Sequence, residues 1–234
     1  MNKKCMKKLI VLSLLICCFL FDGIAQDEST LINKVRAKIE RVNDYIAQGN
    51  LKTDVSFIKA PAGKIKVWFK KPDKFRLTRE KGISILPKGG VSINLRSVFA
   101  ENNVALGAGE SVIGDVQTKI VKLLPTDENS DIVLSTIYID TSALLVRKVI
   151  TTTKENGTYE INLYYGKYSD YALPDKVVFS FNTRDYKLPK GITLEFDESE
   201  KPTDLNKLKN KKGKVEITYT SYIINKGVDD RVFK

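Results

Sequence analysis

The chain has 234 residues, of which 42% are hydrophobic and 29% charged, and it carries a formal charge of +11. That composition argues against gross disorder, and the length suits one domain or two. Histidine is absent, and the three cysteines (Cys5, Cys17 and Cys18) all lie near the N-terminus. This excludes a Ser-His-Asp triad, an imidazole acid–base catalyst, and a zinc site or cysteine nucleophile in the body of the chain.

The first 25 residues read as an address. Lys3, Lys4, Lys7 and Lys8 form a basic start, and Leu9 to Phe21 is an apolar run of 13 residues with Ser13 inside it. Asp22-Gly-Ile-Ala25 then supplies small residues for cleavage after Ala25, the pattern of a secretory signal peptide. The run is short of the roughly 20 apolar residues a spanning helix needs. An uncleaved anchor and lipidation at Cys17 or Cys18 are the alternatives, the latter disfavoured by Ile16. Cleavage would remove four lysines and Asp22, leaving residues 26–234 with a charge of +8 and no cysteine. A secreted chain without disulfides is held by its core alone. At this size folding buries roughly 70% of the unfolded chain's surface, which is enough. These features fit a bacterial periplasm.

Residues 29–48 are predicted to form a helix. Leu31, Val35, Ile39, Val42 and Ile46 make one apolar stripe, Ser29 or Thr30 can cap its start, and Gly49 can end it. The pattern then changes to period two. Leu51, Thr53, Val55 and Phe57 alternate with polar residues, as do Ile65, Val67 and Phe69, and then Phe75 and Leu77. Pro72-Asp73 joins the last two runs as a hairpin. Lys64, Lys66 and Lys70 share a face with Trp68, read as a solvated outer face with the indole lying across lysine stems.

Residues 91–102 interrupt the strands with a short amphipathic helix carrying Leu95, Val98 and Phe99, flanked by Gly89-Gly90 and Gly107-Ala-Gly109 as flexible connections. Strands resume at 116–124 and 132–139. Segments 144–153 and 158–167 flank Asn156-Gly157, the strongest hairpin signal in the chain. Val177, Phe179 and Phe181 mark another strand, and a short one at 192–196 follows. A lysine-rich loop precedes a last strand with Val215, Ile217, Tyr219 and Ile223. The total is about eleven strands, one early helix and one mid-chain helix. A single curled antiparallel sheet in one domain is the simplest solution.

Carboxylates are the only candidate catalytic acids and bases, in three clusters: Asp127-Glu128-Asp131, Asp197-Glu198-Glu200 and Asp229-Asp230. Their loop settings read as solvated turns, and neither a catalytic pair nor a metal or cofactor site is expected. Lys207 to Lys212 is the densest basic run, but nucleic acid is a poor partner for an exported protein. The sheet itself is more informative. About eleven strands offer a large apolar face that two helices only partly cover, so either a concave apolar cavity or a sandwich folded onto itself results.

Residues 63–79 read Gly-Lys-Ile-Lys-Val-Trp-Phe-Lys-Lys-Pro-Asp-Lys-Phe-Arg-Leu-Thr-Arg. This resembles the LolA-like periplasmic carriers that sort lipoproteins to the outer membrane, in which a Gly-initiated strand ends in a basic-Pro turn followed by an aromatic-Arg strand. Gly114-Asp-Val-Gln-Thr-Lys-Ile-Val-Lys-Leu-Leu-Pro125, Tyr138-Ile-Asp140, Leu145-Val-Arg-Lys148 and the ending Tyr222 to Phe233 fit the same pattern across the mature chain. The resemblance implies an unclosed antiparallel half-barrel with helices as a lid over an apolar concavity. It implies binding of acyl chains of lipoproteins or other lipids, passed from an inner-membrane donor to an outer-membrane acceptor by a monomer without enzymatic activity.

The expected cavity lining is Val67, Phe69, Phe75, Leu77, Tyr159, Ile161, Leu163, Val177, Phe179, Phe181, Ile217 and Tyr219. The lid is the helix carrying Leu95 and Phe99 together with the first helix. The family's lid-holding basic residue falls on Lys71, where carriers often have arginine. A second reading on the same scaffold is a sensor or assembly protein that binds a protein partner. A third is a carboxylate-dependent hydrolase using Asp197, Glu198 and Glu200.

Overall fold

A computed structural model describes residues 22–54, 62–79, 98–99, 103–155, 157–182 and 212–233. One helix, α1 (Asp22–Ile39), precedes ten strands: β1 (Asp44–Asp54), β2 (Gly63–Lys70), β3 (Lys74–Arg79), β4 (Asn103–Ile113), β5 (Val116–Pro125), β6 (Ile132–Asp140), β7 (Leu145–Thr153), β8 (Thr158–Tyr164), β9 (Lys176–Asn182) and β10 (Lys212–Ile224). All ten form one antiparallel sheet in the order β3-β2-β1-β10-β9-β8-β7-β6-β5-β4. The outer strands β3 and β4 do not pair, so the sheet curls as an unclosed half-barrel. The expected strand at 192–196 and the basic run at 207–211 lie outside the described residues.

Period-two patterning decides the sheet's two faces. The strand β2 buries Ile65, Val67 and Phe69 while Lys64 and Lys66 face solvent. Register carries one apolar row across seven strands: Val215, Phe179, Ile161, Val149, Ile137, Val121 and finally Gly107. The six side chains of that row are at most 5% exposed. The parallel row beside it holds a buried hydroxyl pair, Ser135 and Thr151, 3.1 Å apart. Each satisfies the other, so the core carries no open polar group there.

The hairpin signals are realised. Pro72-Asp73 lies in the β2–β3 turn, with Phe69 opposite Phe75 and Val67 opposite Leu77. Gly157 has φ of +67° between β7 and β8, where the left-handed region favours glycine. Lys66 Nζ lies 5.1 Å from the centre of the Trp68 ring, on the solvent side of β2.

Two expectations are corrected. The first helix runs from residue 22 to 39 rather than 29 to 48, so Val42 and Ile46 leave the stripe. Asn225 takes up the chain as it leaves the helix. Its Oδ1 accepts Asn43 N–H at 2.7 Å and its Nδ2 donates to Arg41 O at 2.9 Å, while Arg41 N–H and Val42 N–H make the last turn's bonds to Lys38 O and Ile39 O. The chain enters β1 at Asp44, and Gly49 sits at a bulge in that strand instead of ending a helix. There a Cβ would stand 2.5 Å from Thr218 O. The second correction concerns Gly107-Ala-Gly109. This segment is part of edge strand β4 rather than a flexible connection, and the bulge between Gly107 and Glu110 absorbs Gly109 at φ +86°.

The β6–β7 turn hangs on one carboxylate. Asp140, 3% exposed, accepts Ser142 Oγ–H at 2.6 Å and Ala143 N–H at 3.0 Å through Oδ1, and Arg147 Nη2 at 2.7 Å through Oδ2. Burial pushes this carboxyl up, but the Ser142 hydroxyl, the Ala143 amide and the Arg147 guanidinium together hold it below the usual range. Arg147 also lies over the Tyr165 ring at 5.6 Å. A carboxyl depressed in the folded state stabilises the fold above its unfolded pKa, and that contribution is lost as pH falls through the folded value. Replacing Asp140 by Asn is therefore expected to cost about 2–4 kcal/mol at neutral pH by urea unfolding. The gap between wild type and Asp140→Asn should shrink below about pH 4, and a gap constant from neutral pH to pH 2 would refute the assignment.

Candidate functional site

The inner face of the sheet is continuous and apolar. Of the twelve predicted lining residues, eleven belong to one core cluster, with Phe75, Leu77 and Tyr159 at its partly buried margin. Phe69 belongs instead to a smaller neighbouring cluster with Val42 and Leu173. Phe69 lies near the end of β2, opposite Tyr45, where the tyrosines gather at one end of the sheet. Tyr45 stacks on Phe69 with ring centres 5.2 Å apart, and Tyr222 stands 5.5 Å from Tyr45, 5.0 Å from Tyr219 and 4.8 Å from Tyr168. Tyr222 Oη donates to Pro174 O at 2.8 Å. Burial pushes the phenols of Tyr45, Tyr219 and Tyr222 well above the ordinary value, so they act as neutral aromatic walls. Toward the β8–β9 end, Phe179 packs 5.3 Å from Tyr159 and 5.4 Å from Phe181.

Among the described residues, two pieces of chain cover this face. The first is α1, which presents Leu31, Ile32 and Val35, with Val35 1% exposed. The second lies on the crossing between the two sheet edges. The chain leaves β3 at residue 79 and enters β4 at residue 103, at opposite ends of the sheet. Val98 and Phe99, on that crossing, are buried in the same cluster as α1, with Phe99 2% exposed. Leu95 lies outside the described residues.

Polar contacts hold the cover at its margins. Arg36 Nε donates to Phe99 O at 2.9 Å, joining helix and crossing segment. Lys38 Nζ donates to Ala143 O at 2.7 Å, in the turn that Asp140 organises. Lys71 Nζ reaches the end of α1, at 2.5 Å from Glu40 O and 3.0 Å from Glu40 Oε2. The contacts described for Lys71 are thus to α1 and its exit, and the contact to the crossing segment comes from Arg36. Sequence reasoning missed Arg36, because a single arginine beside an apolar stripe carries no signal of its partner.

The fourth contact is the most buried. Glu28, 2% exposed on α1, meets Lys119 of β5 at 3.2 Å through Oε1, and its Oε2 has no hydrogen-bond partner. The carboxylate lies against Gly107, where an added Cβ would stand 2.5 Å from Oε1. Glycine at this point of β4 lets the charged start of the covering helix approach the edge strand. The other carboxylates play local roles. Asp127 Oδ1 accepts Asn129 N–H at 2.9 Å, and Asp230 Oδ1 takes both Lys70 at 3.0 Å and Lys74 at 2.8 Å. Those lysines pull the Asp230 carboxyl down to about 2. Asp197, Glu198 and Glu200 lie outside the described residues.

Among the described residues, the row from Val215 to Val121 carries no acid or base. It can bury apolar matter, and its cover can lift if the marginal contacts give way. Removing the Lys119 charge leaves Glu28 buried without its cation and should weaken docking of α1 by about 1–2 kcal/mol, since Lys119 is partly exposed. Hydrogen exchange of amides 31–36 should then speed up roughly fivefold to thirtyfold in Lys119→Met, with β7 and β8 amides unchanged. Unchanged helix protection would show that the ion pair does not hold the cover.

No protein-family model matches the sequence, and no curated protein emerges as a relative. Solved structures do match in shape. An outer membrane lipoprotein-sorting protein domain from Vibrio parahaemolyticus aligns at 10% identity and TM-score 0.59, covering 89% of this chain and 97% of its own. A DUF1329 family protein from Desulfovibrio piger aligns at 9% identity and TM-score 0.55, covering 90% and 97%. A LolA superfamily protein from Nitrosomonas europaea aligns at 8% identity and TM-score 0.50, covering 86% and 96%. At these identities the likeness is one of fold: this chain shares the fold of the lipoprotein-sorting domain and the LolA superfamily protein.

Proposed function

We propose that residues 26–234 form a single-domain periplasmic binding protein that holds acyl chains of lipoproteins or other lipids on the inner face of the sheet and releases them at another membrane. In this reading residues 1–25 are a signal peptide removed after Ala25, and the protein is a carrier without catalytic residues. The observation that carries it is the apolar row from Val215 to Val121 beneath a helix whose margins carry polar contacts at Glu28, Arg36, Lys38 and Glu40. The likeness to a lipoprotein-sorting domain supports the same reading.

The mechanism is competition for one surface. In the closed form Leu31, Ile32, Val35 and Phe99 occupy the concavity. A bound acyl chain takes their place. About 16 carbons at ~0.8 kcal/mol per CH₂ represent roughly 12 kcal/mol of gross transfer energy. The net affinity is lower, because opening the cover exposes apolar residues of its own. Ligand binding therefore reports how easily the cover opens, and the apparent dissociation constant scales inversely with the open fraction.

The test is native mass spectrometry of the protein recovered from a periplasmic fraction, followed by titration of the delipidated protein with a fluorescent diacyl lipopeptide. Discrete lipid adducts and saturable uptake are expected. Lys119→Met should bind roughly fivefold to thirtyfold more tightly than wild type, by the same weakening of closure. Absence of uptake in both wild type and Lys119→Met would end the carrier reading.

A further inference from the structure

We infer that the outer face of the sheet around β10, β1 and β2 is a docking surface for an anionic lipid bilayer. This goes beyond cargo binding, because it uses the face opposite the concavity and does not depend on what the concavity holds. Register places Ile223, Ile46 and Trp68 side by side across the three strands. Ile223 is 54% exposed, and Ile46 and Trp68 are partly exposed. One row away, about 7 Å along the strands, Lys66 lies beside Gln48, followed by Lys64 beside Asn50 and then Lys52 on β1. All three lysines are exposed. An open basin of about 400 Å³ lies beside Lys64 and Lys66, lined also by Gln48, Asn50 and Thr78.

The surrounding acids are engaged elsewhere. Glu216, opposite Lys52, pairs with Lys176 at 3.1 Å and Lys214 at 3.6 Å. Asp230 is shared by Lys70 and Lys74, and Asp44 Oδ1 accepts Gly227 N–H. Asp54, at the strand end, stands opposite Lys214. Among the described residues, no ion pair links Lys64 or Lys66 to a carboxylate.

An apolar row with an indole beside a row of lysines is the chemistry of a membrane interface. Tryptophan settles at headgroup depth, and each lysine near an anionic surface contributes about 1 kcal/mol. The two rows lie on one sheet face, so both can engage a flat surface at once. Charge complementarity favours anionic phospholipid headgroups over zwitterionic ones. Docked this way, the protein would present a bilayer to its outer face and keep its concavity turned away until released.

Trp68 is the single tryptophan of the chain and reports directly. Processed protein from a periplasmic fraction is mixed with phosphatidylcholine vesicles, with or without one third phosphatidylglycerol. Flotation and Trp68 emission are then read at low and physiological salt. Expected are co-flotation and a blue shift with the anionic vesicles only, both weakened by salt. Lys64→Glu/Lys66→Glu should lose about tenfold or more in vesicle affinity, with circular dichroism unchanged. Lys34→Glu/Lys122→Glu, equal in charge but placed elsewhere on the surface, should bind like wild type. No shift would overturn the proposal, as it would if an acidic protein were the partner of this face. Equal loss in both double variants would overturn it too, because only diffuse charge would then be acting.

Discussion

A sheet of ten antiparallel strands with one apolar face must cover that face, and the two outer strands do not close on each other to do it. The rest of the structure depends on how this constraint is met. Leu31, Ile32 and Val35 of α1, with Val98 and Phe99 of the crossing segment, fill the concavity. Non-directional apolar contact does most of the holding, at roughly 25 cal/mol per Å² buried. Such contact does not distinguish a leucine side chain from an acyl tail. A cover of this composition is exchangeable in a way that a second hydrogen-bonded sheet would not be.

Directional contacts sit at the margins and decide where the cover lies. Lys38 meets the carbonyl of Ala143, whose amide is held by Asp140. One buried carboxylate thereby sets both the β6–β7 turn and the seat of the helix end. Asn225, at φ +55° just after β10, ties the exit of α1 to the far end of the chain. Glu28 and Lys119 fix the other end of the helix against Gly107. Among the described residues these contacts lie apart from the ladder bonds of the sheet.

The two faces also divide the charge. The inner-face row from Val215 to Val121 is apolar, its neighbour holds the self-satisfied Ser135–Thr151 pair, and the Glu28–Lys119 pair lies at the β4–β5 side. Lysines are concentrated on the outer face, where Lys66 lies over the Trp68 ring and Lys70 and Lys74 clasp Asp230. A strongly basic chain can thus bury an apolar surface while most of its cations stay on the outer face and Lys119 is paired with Glu28.

Much of this was legible in the residue order, for a local reason. A strand's period and a turn's chemistry are properties of neighbouring residues, so Phe75 and Leu77, the Asn156-Gly157 signal, and the run from Val177 to Phe181 announce themselves. The inner-face residues follow from the same alternation. The helix end does not. Val42 and Ile46 continue the stripe of α1, yet pairing with β2 and β10 takes Ile46 into a strand, and Asn225, at the other end of the chain, bonds the connection at Arg41 and Asn43. Gly107 and Gly109 read locally as flexible, yet Gly107 pairs with β5 and Gly109 sits in a bulge of the same edge strand.

The contacts that hold the cover are likewise absent from the sequence as pattern. Arg36, Glu28 and Lys119 are ordinary charges until folding places them beside Phe99, Gly107 and each other. By itself, the sequence determined the strands, their turns and which side of each is apolar, because those depend on near neighbours. Tertiary structure alone decided where the helix stops, which strand forms the open edge and what holds the cover, because each depends on groups far apart in the chain.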